Sequence, residues 1–266
     1  MWSACWEPKS EPGLYQPLQL STNYSNMKKS FKQVSQLISQ MTVDEKIAQI
    51  GSYWIWELQT KGTLDESKLS EKLGHGIGQI TRVGGGSYLS PTQTAKLGNR
   101  IQKYLVDETR LGIPAILHEE TCNGTMVLGG SVFPVPISLA ATFEPRLAEE
   151  MTLAIRKQML AIGGRQALAP VLDLGRDPRW GRIEETFGED PYLVGRFGVH
   201  YVRGLQGDDL AQGVMATGKH FVAHSLSMGG LNCAPVFVGP TILHNLFFAP
   251  FQAAIQEAGI ATIMNS

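Results

Sequence analysis

The chain has 266 residues, of which 43% are hydrophobic and 18% charged, and its 23 Lys and Arg residues balance 24 Asp and Glu residues to a formal charge of −1. This length suits one large domain or two small ones. The balanced charge gives no field that would attract nucleic-acid phosphates or an anionic membrane. Intrinsic disorder is excluded as well, because it requires low hydrophobicity together with high net charge.

The sequence lacks several features that would indicate a membrane protein, a secreted protein or a metalloprotein. No apolar run approaches the roughly 20 residues of a membrane-spanning helix. The segment 1–10 has neither the basic region nor the apolar region of a signal peptide, so we expect a cytoplasmic protein. Its three cysteines, Cys5, Cys122 and Cys233, are far apart and odd in number, which indicates neither a disulfide framework nor a CxxC metal site. We expect no cofactor and no metal.

Helix and strand patterns alternate after an irregular lead-in segment, residues 1–30. Capping boxes predict helices that begin after Thr42 and after Ser90. Apolar residues at three- and four-residue spacing predict further helices over 144–162, 191–205 and 242–257, the last with a kink at Pro250. The predicted strands lie at 47–56, 76–80, 113–117, 167–174, 214–221 and 260–264.

Strands that alternate with helices in this way predict βαβ units and a parallel sheet, hence an α/β fold. The length is close to that of a (β/α)₈ TIM barrel, which typically has about 250 residues and eight strands. About six strands are counted, and the chain ends directly after the last one. Either the sheet is open or the barrel, expected over 31–266, is incomplete with about six of its eight βα units.

Polar residues follow the predicted strands at the points where they end. Glu120 comes just after one strand, Asp173 lies at the end of the next, and Lys219 and His220 lie at the end of a third. The carboxyl ends of parallel strands form one face, where α/β proteins build their ligand sites. These residues are therefore candidates for a common site.

Two motif-like patterns fail on inspection. Residues 213–219 read G-x-x-x-x-G-K, but His220 stands where a phosphate-binding loop needs Ser or Thr. The sequence at 118–120 begins like a zinc-protease motif, but Cys122 replaces the second histidine. His220 and His224 are four residues apart, a spacing that brings two metal ligands together on a helix, but they lie at the end of a predicted strand and would not converge. Neither nucleotide nor metal binding is favoured.

The segment 173–190 is unusually rich in charge, with Arg176, Arg179 and Arg182 interleaved with five carboxylates. A loop held by its own salt bridges is the ordinary explanation. Trp180 among these charges is instead typical of a sugar site, where an aromatic ring stacks on the sugar and charged groups bind its hydroxyls. Both interpretations can hold together.

The sequence LAPVLDLGRDPRWGRIEETFGEDPYLVG (168–195) closely resembles the signature of glycoside hydrolase family 3. Further motifs in the same order support the resemblance over nearly the whole chain after residue 30: LGIPAILHEETCNG (111–124), FPVPISLAAT (133–142), GKHFVAHS (218–225) and the strand that ends at Ser266. The resemblance implies that Glu120, Arg176, Lys219 and His220 bind hydroxyls of the sugar at subsite −1, and that Met264 lines the same pocket.

The family resemblance also implies a retaining mechanism, in which one carboxylate forms a glycosyl-enzyme and a second carboxyl group acts as acid and then base. Both groups would lie beyond Ser266, so we assign no catalytic residue and expect the 266-residue chain alone to be inactive. The glycine-rich, His/Asp-bearing loop of the N-acetylglucosaminidase branch is missing after Phe221, which favours terminal β-D-glucosyl or β-xylosyl substrates. The alternatives are a carbohydrate-binding remnant without catalysis and an unrelated phosphate-binding α/β domain.

Overall fold

The computed structural model describes residues 20–266, with side chains from residue 30 onwards. The chain divides into two compact units, one ending at Lys46 and the other beginning at Ile47. Helix α1 (Leu20–Gln40) lies in the first unit, so residues 20–30 of the predicted lead-in segment are helical, and residues 1–19 lie outside the described residues. Across the described range, no helix combines the length and apolar character needed to cross a membrane.

The strands are β1 (Ser52–Trp54), β2 (Gln59–Thr60), β3 (Thr63–Leu64), β4 (Gln79–Thr81), β5 (Ile116–Glu119), β6 (Gln166–Ala167), β7 (Met215–Phe221) and β8 (Thr262–Asn265). β2 and β3 form an antiparallel hairpin. The other six form one parallel sheet in the order β1-β4-β5-β6-β7-β8. The sheet curls as six of the eight strands of a (β/α)₈ barrel, which confirms the predicted fold class.

The helices of the larger unit alternate with these strands along the chain. After α2 (Val43–Gln49), which spans the boundary between the units, they are α3 (Glu66–Leu73), α4 (Pro91–Glu108), α5 (Pro136–Ala140), α6 (Arg146–Ala161), α7 (Pro191–Gln206), α8 (Pro240–Ile242) and α9 (Phe248–Ala258). The capping box predicted at Ser90 is present: the backbone N–H of Ser90 donates to Gln93 Oε1 at 3.1 Å, and the N–H of Gln93 donates to Ser90 Oγ at 3.4 Å.

Pro250 does not produce the predicted kink at its own position. It lies inside α9, and the irregularity occurs one turn earlier, where residues 243–247 form a π-helical turn. A proline has no N–H to donate and its ring crowds the carbonyl four residues before it. The preceding turn therefore widens, which is a common way for a helix to accommodate such a residue.

The inner face of the curled sheet carries a polar belt. Ser52 Oγ lies 2.6 Å from Thr81 Oγ1, which lies 3.1 Å from His118 Nε2. On the other side, Gln166 Nε2 donates to Thr217 Oγ1 at 3.1 Å. Thr217 Oγ1 is in turn 2.8 Å from Thr262 Oγ1. Because side chains alternate along a strand, a residue two positions after a member of this belt also faces inward and lies nearer the carboxyl end of its strand.

Candidate functional site

The carboxyl ends of β5 and β7 and the segment after β6 converge on one site. Glu120 follows β5 directly, and Lys219 and His220 belong to β7. The segment after β6 runs beside β7, because the N–H of Leu172 donates to the carbonyl of Lys219 at 2.6 Å and the N–H of Lys219 donates to Pro170 at 3.0 Å. This pairing places Asp173 next to His220.

Lys219 and Glu120 form the first ion pair of the site. Lys219 Nζ donates to Glu120 Oε2 at 2.9 Å, and the lysine is 2% exposed. A buried ammonium needs a partner, because an unpaired charge away from water is strongly unfavourable. The Glu120 side chain remains 26% exposed, so part of its carboxylate is free to meet a ligand.

A chain of hydrogen bonds forms the second part of the site. Asp173 Oδ2 lies 2.7 Å from His220 Nδ1, and His220 Nε2 lies 3.1 Å from Arg182 Nη1. Arg182 then binds Glu185 through both carboxylate oxygens, at 2.6 Å from Nε and 2.7 Å from Nη2. Two-point contact of this kind is the strongest arrangement for an arginine and a carboxylate.

The Arg182–Glu185 pair stays ionised in this environment. Burial acts to raise the pKa of Glu185, but the hydrogen bonds and charge of Arg182 outweigh burial and lower that pKa below its usual value. The same hydrogen bonds raise the pKa of Arg182. The site therefore presents a fixed cation, which can donate hydrogen bonds, beside a fixed anion, which can accept them.

Three members of these two ion pairs, Glu120, Arg182 and Glu185, line one cavity of about 300 Å³. Its lining residues are Glu120, Cys122, Asn123, Met126, Val135, Pro136, Arg182, Glu184 and Glu185. A lining that combines charged and apolar side chains suits a compact ligand that carries several hydroxyls. Burial raises the pKa of the Cys122 thiol to about 12, so this cysteine is an inert part of the wall.

A second, larger cavity of about 580 Å³ adjoins the first and shares Asn123 and Met126 with it. Trp54, the last residue of β1, and Trp56, two positions later, stack in its wall with ring centroids 4.0 Å apart and an angle of 17° between the rings. Both rings are partly exposed. The sequence reasoning did not single out this pair, although two tryptophans one residue apart at the end of a strand are a readable signal.

Trp180 has a different role from the one that the sequence suggested. Its ring is 1% exposed and offers no open face for a sugar. Its Nε1 donates to Asn232 Oδ1 at 3.1 Å, and the Arg182 guanidinium lies 5.8 Å from the ring centroid. Trp180 thus supports the loop that carries Arg182.

The structure brings together three of the five predicted binding residues: Glu120, Lys219 and His220. Arg176 is not brought to them. Its side chain is exposed, and within residues 30–266 no hydrogen bond or ion pair connects it to the cluster. Arg182 is the arginine that contacts this cluster and lines the cavity, although the sequence distinguishes it from the other two arginines of the charged loop by no local feature.

Met264, the fifth predicted residue, is half-buried on β8. It shares the inner face with Thr262 and lies one layer nearer the carboxyl ends, as Lys219 does relative to Thr217. Its predicted role in the pocket stays a prediction. Within the part of the chain that the structure describes, no three His, Cys, Asp or Glu side chains converge as metal ligands.

Comparison with known proteins agrees with this architecture. The sequence model described as "Glycosyl hydrolase family 3 N terminal domain" matches residues 42–266. A putative β-xylosidase of Formosa agariphila is 34% identical over 255 residues, which cover 92% of this chain and 34% of that protein. A lysosomal β-glucosidase of Dictyostelium discoideum is 30% identical over 264 residues, covering 92% of this chain and 32% of that protein.

Solved structures give the same result. A β-glucosidase of Erythrobacter marinus superposes with a TM-score of 0.79 at 32% identity, covering 86% of this chain and 31% of that one. A β-glucosidase of Listeria innocua, in complex with isofagomine, superposes with a TM-score of 0.74 at 31% identity, covering 88% and 32%. The chain thus spans about a third of the length of these relatives.

Proposed function

Because the chain belongs to glycosyl hydrolase family 3, we propose that its cavity binds a terminal β-D-glucosyl or β-xylosyl residue. We propose further that the protein containing it is a retaining glycosidase that removes such residues from oligosaccharides or glycosides. The observation that carries this proposal is the pair of ion pairs, Lys219–Glu120 and Arg182–Glu185, beside one cavity.

The ion pairs match the needs of a neutral sugar. Vicinal hydroxyls both donate and accept, so they are best bound by a cation and an anion held side by side. Lys219 donates to Glu120, and Arg182 donates to Glu185, so each carboxylate lies beside a cation. The lowered pKa of Glu185 suits that carboxylate as a hydroxyl acceptor. We therefore assign Glu120, Lys219 and Arg182 to sugar binding, and Arg182 takes the place predicted for Arg176.

The second cavity is positioned to bind the part of a substrate that extends beyond the terminal sugar. It adjoins the first at Asn123 and Met126, and stacked rings such as Trp54 and Trp56 suit the apolar face of a second sugar or an aromatic group. The Listeria innocua relative has been solved with glucose, and a mutant of it with laminaribiose. Small neutral carbohydrates of this kind are accordingly the ligands that we propose here.

Binding is tested by titrating the 266-residue chain with isofagomine, glucose and xylose in a calorimeter. The variant Lys219→Met should weaken binding of glucose, the neutral ligand of the series, at least tenfold, which equals about 1.4 kcal/mol. The matched control is Lys103→Met, since Lys103 forms an exposed ion pair with Asp107 on α4. Equal affinity of wild type and Lys219→Met would contradict the proposed site.

Hydrolysis is tested separately with an aryl β-D-glucoside and an aryl β-D-xyloside. Retaining cleavage needs a nucleophile and an acid/base carboxyl group about 5–5.5 Å apart. We assign neither to this chain, so we expect sugar binding without turnover by these 266 residues. Measurable hydrolysis by the purified chain would show that the reacting groups lie within it.

A further inference from the structure

We propose that Asp173 is a positioning residue, which fixes the proton of His220 on Nδ1 and thereby orients Arg182 toward the sugar cavity. Its effect on sugar affinity rests on the proposed function. Its effect on the tautomer of His220 does not, and can be measured in the absence of any sugar.

The contacts of Asp173 determine the protonation of Nδ1. Asp173 is 1% exposed, and its Oδ2 accepts the backbone N–H of His220 at 3.0 Å. The same oxygen lies 2.7 Å from His220 Nδ1. An ionised carboxylate only accepts hydrogen bonds, so Nδ1 must carry the proton that lies between them.

The opposite side of the ring determines the state of Nε2. Arg182 Nη1 is 3.1 Å from Nε2, and a guanidinium has donors but no acceptor. Nε2 must therefore carry a lone pair, because a protonated Nε2 would direct one N–H at another. The two contacts together define a neutral imidazole in the Nδ1–H form.

This tautomer completes the support of the arginine. Glu185 binds Nε and Nη2 of Arg182, and His220 binds Nη1, so the guanidinium is held at all three of its nitrogens through three of its five N–H groups. The remaining N–H groups are left to face the cavity that Arg182 lines. A histidine in the Nε2–H form would repel Nη1 and leave the guanidinium held by Glu185 alone.

To hold the proton of His220 on Nδ1, Asp173 has to provide a hydrogen-bond acceptor at the position of Oδ2. Its other oxygen, Oδ1, is buried and has no hydrogen-bond partner among the described residues. In Asp173→Asn the amide oxygen can take the place of Oδ2 and accept from both the backbone N–H and Nδ1–H. Asp173→Ala removes the acceptor, and the proton of His220 is then free to move to Nε2.

The first test uses the wild-type chain, so it does not depend on the folding of a variant. Nitrogen-15 NMR of the histidine ring distinguishes the two neutral tautomers and the imidazolium, with the signal of His220 assigned by its loss in His220→Gln. We expect the neutral Nδ1–H form at pH 7. An Nε2–H form or an imidazolium at that pH would overturn the proposal.

The second test compares the two variants in NMR and in titration with isofagomine. Asp173→Asn should keep the Nδ1–H form and bind isofagomine within about threefold of wild type. Asp173→Ala should populate the Nε2–H form and bind at least tenfold more weakly, with circular dichroism showing that it remains folded. If Asp173→Ala kept the Nδ1–H form, or Asp173→Asn lost it, Asp173 would not be the residue that fixes the proton. If wild type bound no sugar, only the proposed function would fail, since the tautomer would still be read by NMR.

Discussion

Glu119 shows how burial and hydrogen bonding compete at a single residue. Its carboxyl group is almost fully buried and accepts the N–H groups of Gly84 at 2.6 Å and Gly85 at 3.2 Å. Burial raises the pKa to about 7, and the two N–H groups and the charge of Arg82 only partly oppose this rise. The folded chain therefore holds a proton on Glu119 at pH values where the unfolded chain has lost it.

This difference predicts how Glu119 changes stability with pH. The folded state binds more protons than the unfolded state between pH 4.5 and about 7, so the contribution of Glu119 to stability is lost as pH rises through that window. Relative to Glu119→Gln, which does not titrate, wild type should lose up to about 3 kcal/mol of unfolding free energy across it. Urea unfolding at pH 4.5 and at pH 7.5 measures the difference.

The control for this measurement is Glu150→Gln, because Glu150 is an exposed carboxylate on α6. We expect its stability to follow that of wild type at both pH values. A constant difference between wild type and Glu119→Gln over the window would mean that the carboxyl group of Glu119 ionises normally.

The choice among the three arginines of the charged loop marks the limit of sequence reasoning at the residue scale. Glu120, Lys219 and His220 were predictable, because each lies at the end of a strand and parallel strands bring those ends together. Arg176 and Arg182 differ in neither residue type nor local spacing. What selects Arg182 is the short 3₁₀ turn at 183–185 and its contact with β7, and these depend on tertiary packing.

Two glycines of helix α7 differ in how closely a neighbouring helix approaches them. Helix α7 packs against both α6 and α9. At Gly204 an added Cβ would overlap Thr152 Oγ1 and lie 2.5 Å from the carbonyl oxygen of Glu149, both on α6. At Gly195, in the same helix, an added Cβ would make an ordinary contact of 3.4 Å with Ala253 of α9.

These two glycines give a matched pair of substitutions. Gly204→Ala should destabilise the chain by about 1–3 kcal/mol, because the backbone of α6 cannot move aside cheaply. Gly195→Ala should be neutral or stabilising by up to about 1 kcal/mol, because alanine favours the helix and the space is available. Thermal and urea unfolding of both variants provide the measurement, and equal effects would show that helix propensity, not helix spacing, dominates.

At the element scale, helices α4 and α7 and their starts were predictable, whereas the 21-residue helix α1, which overlaps the predicted lead-in segment, and the short elements were not. Ser90 and Asp190 cap α4 and α7 through local hydrogen bonds that a sequence displays directly. The β2–β3 hairpin has strands of two residues each, too short for a periodic pattern. The π-helical turn at 243–247 depends on how α9 is placed around Pro250, which local spacing does not determine.

The six-stranded sheet was predictable at the scale of the whole molecule, because alternating strands and helices restrict the chain to parallel βαβ units. Within the described residues, β1 and β8 each have a neighbour on one side only. Such edges expose unpaired backbone groups that can pair with another chain. The outward-facing Ile263 of β8 is 39% exposed, so this edge also presents apolar surface.

We therefore expect the 266-residue chain to self-associate with rising concentration through the β8 edge. Ile263→Lys should reduce this association, because a lysine on an edge strand resists pairing by charge repulsion and by its hydration. Val106→Lys is the matched control, since Val106 is 48% exposed on α4, away from either edge. Light scattering over a concentration series measures the molar mass of each protein. A decrease in mass for Ile263→Lys alone would locate the association at the strand edge, whereas equal decreases for both variants would show that general surface hydrophobicity drives it.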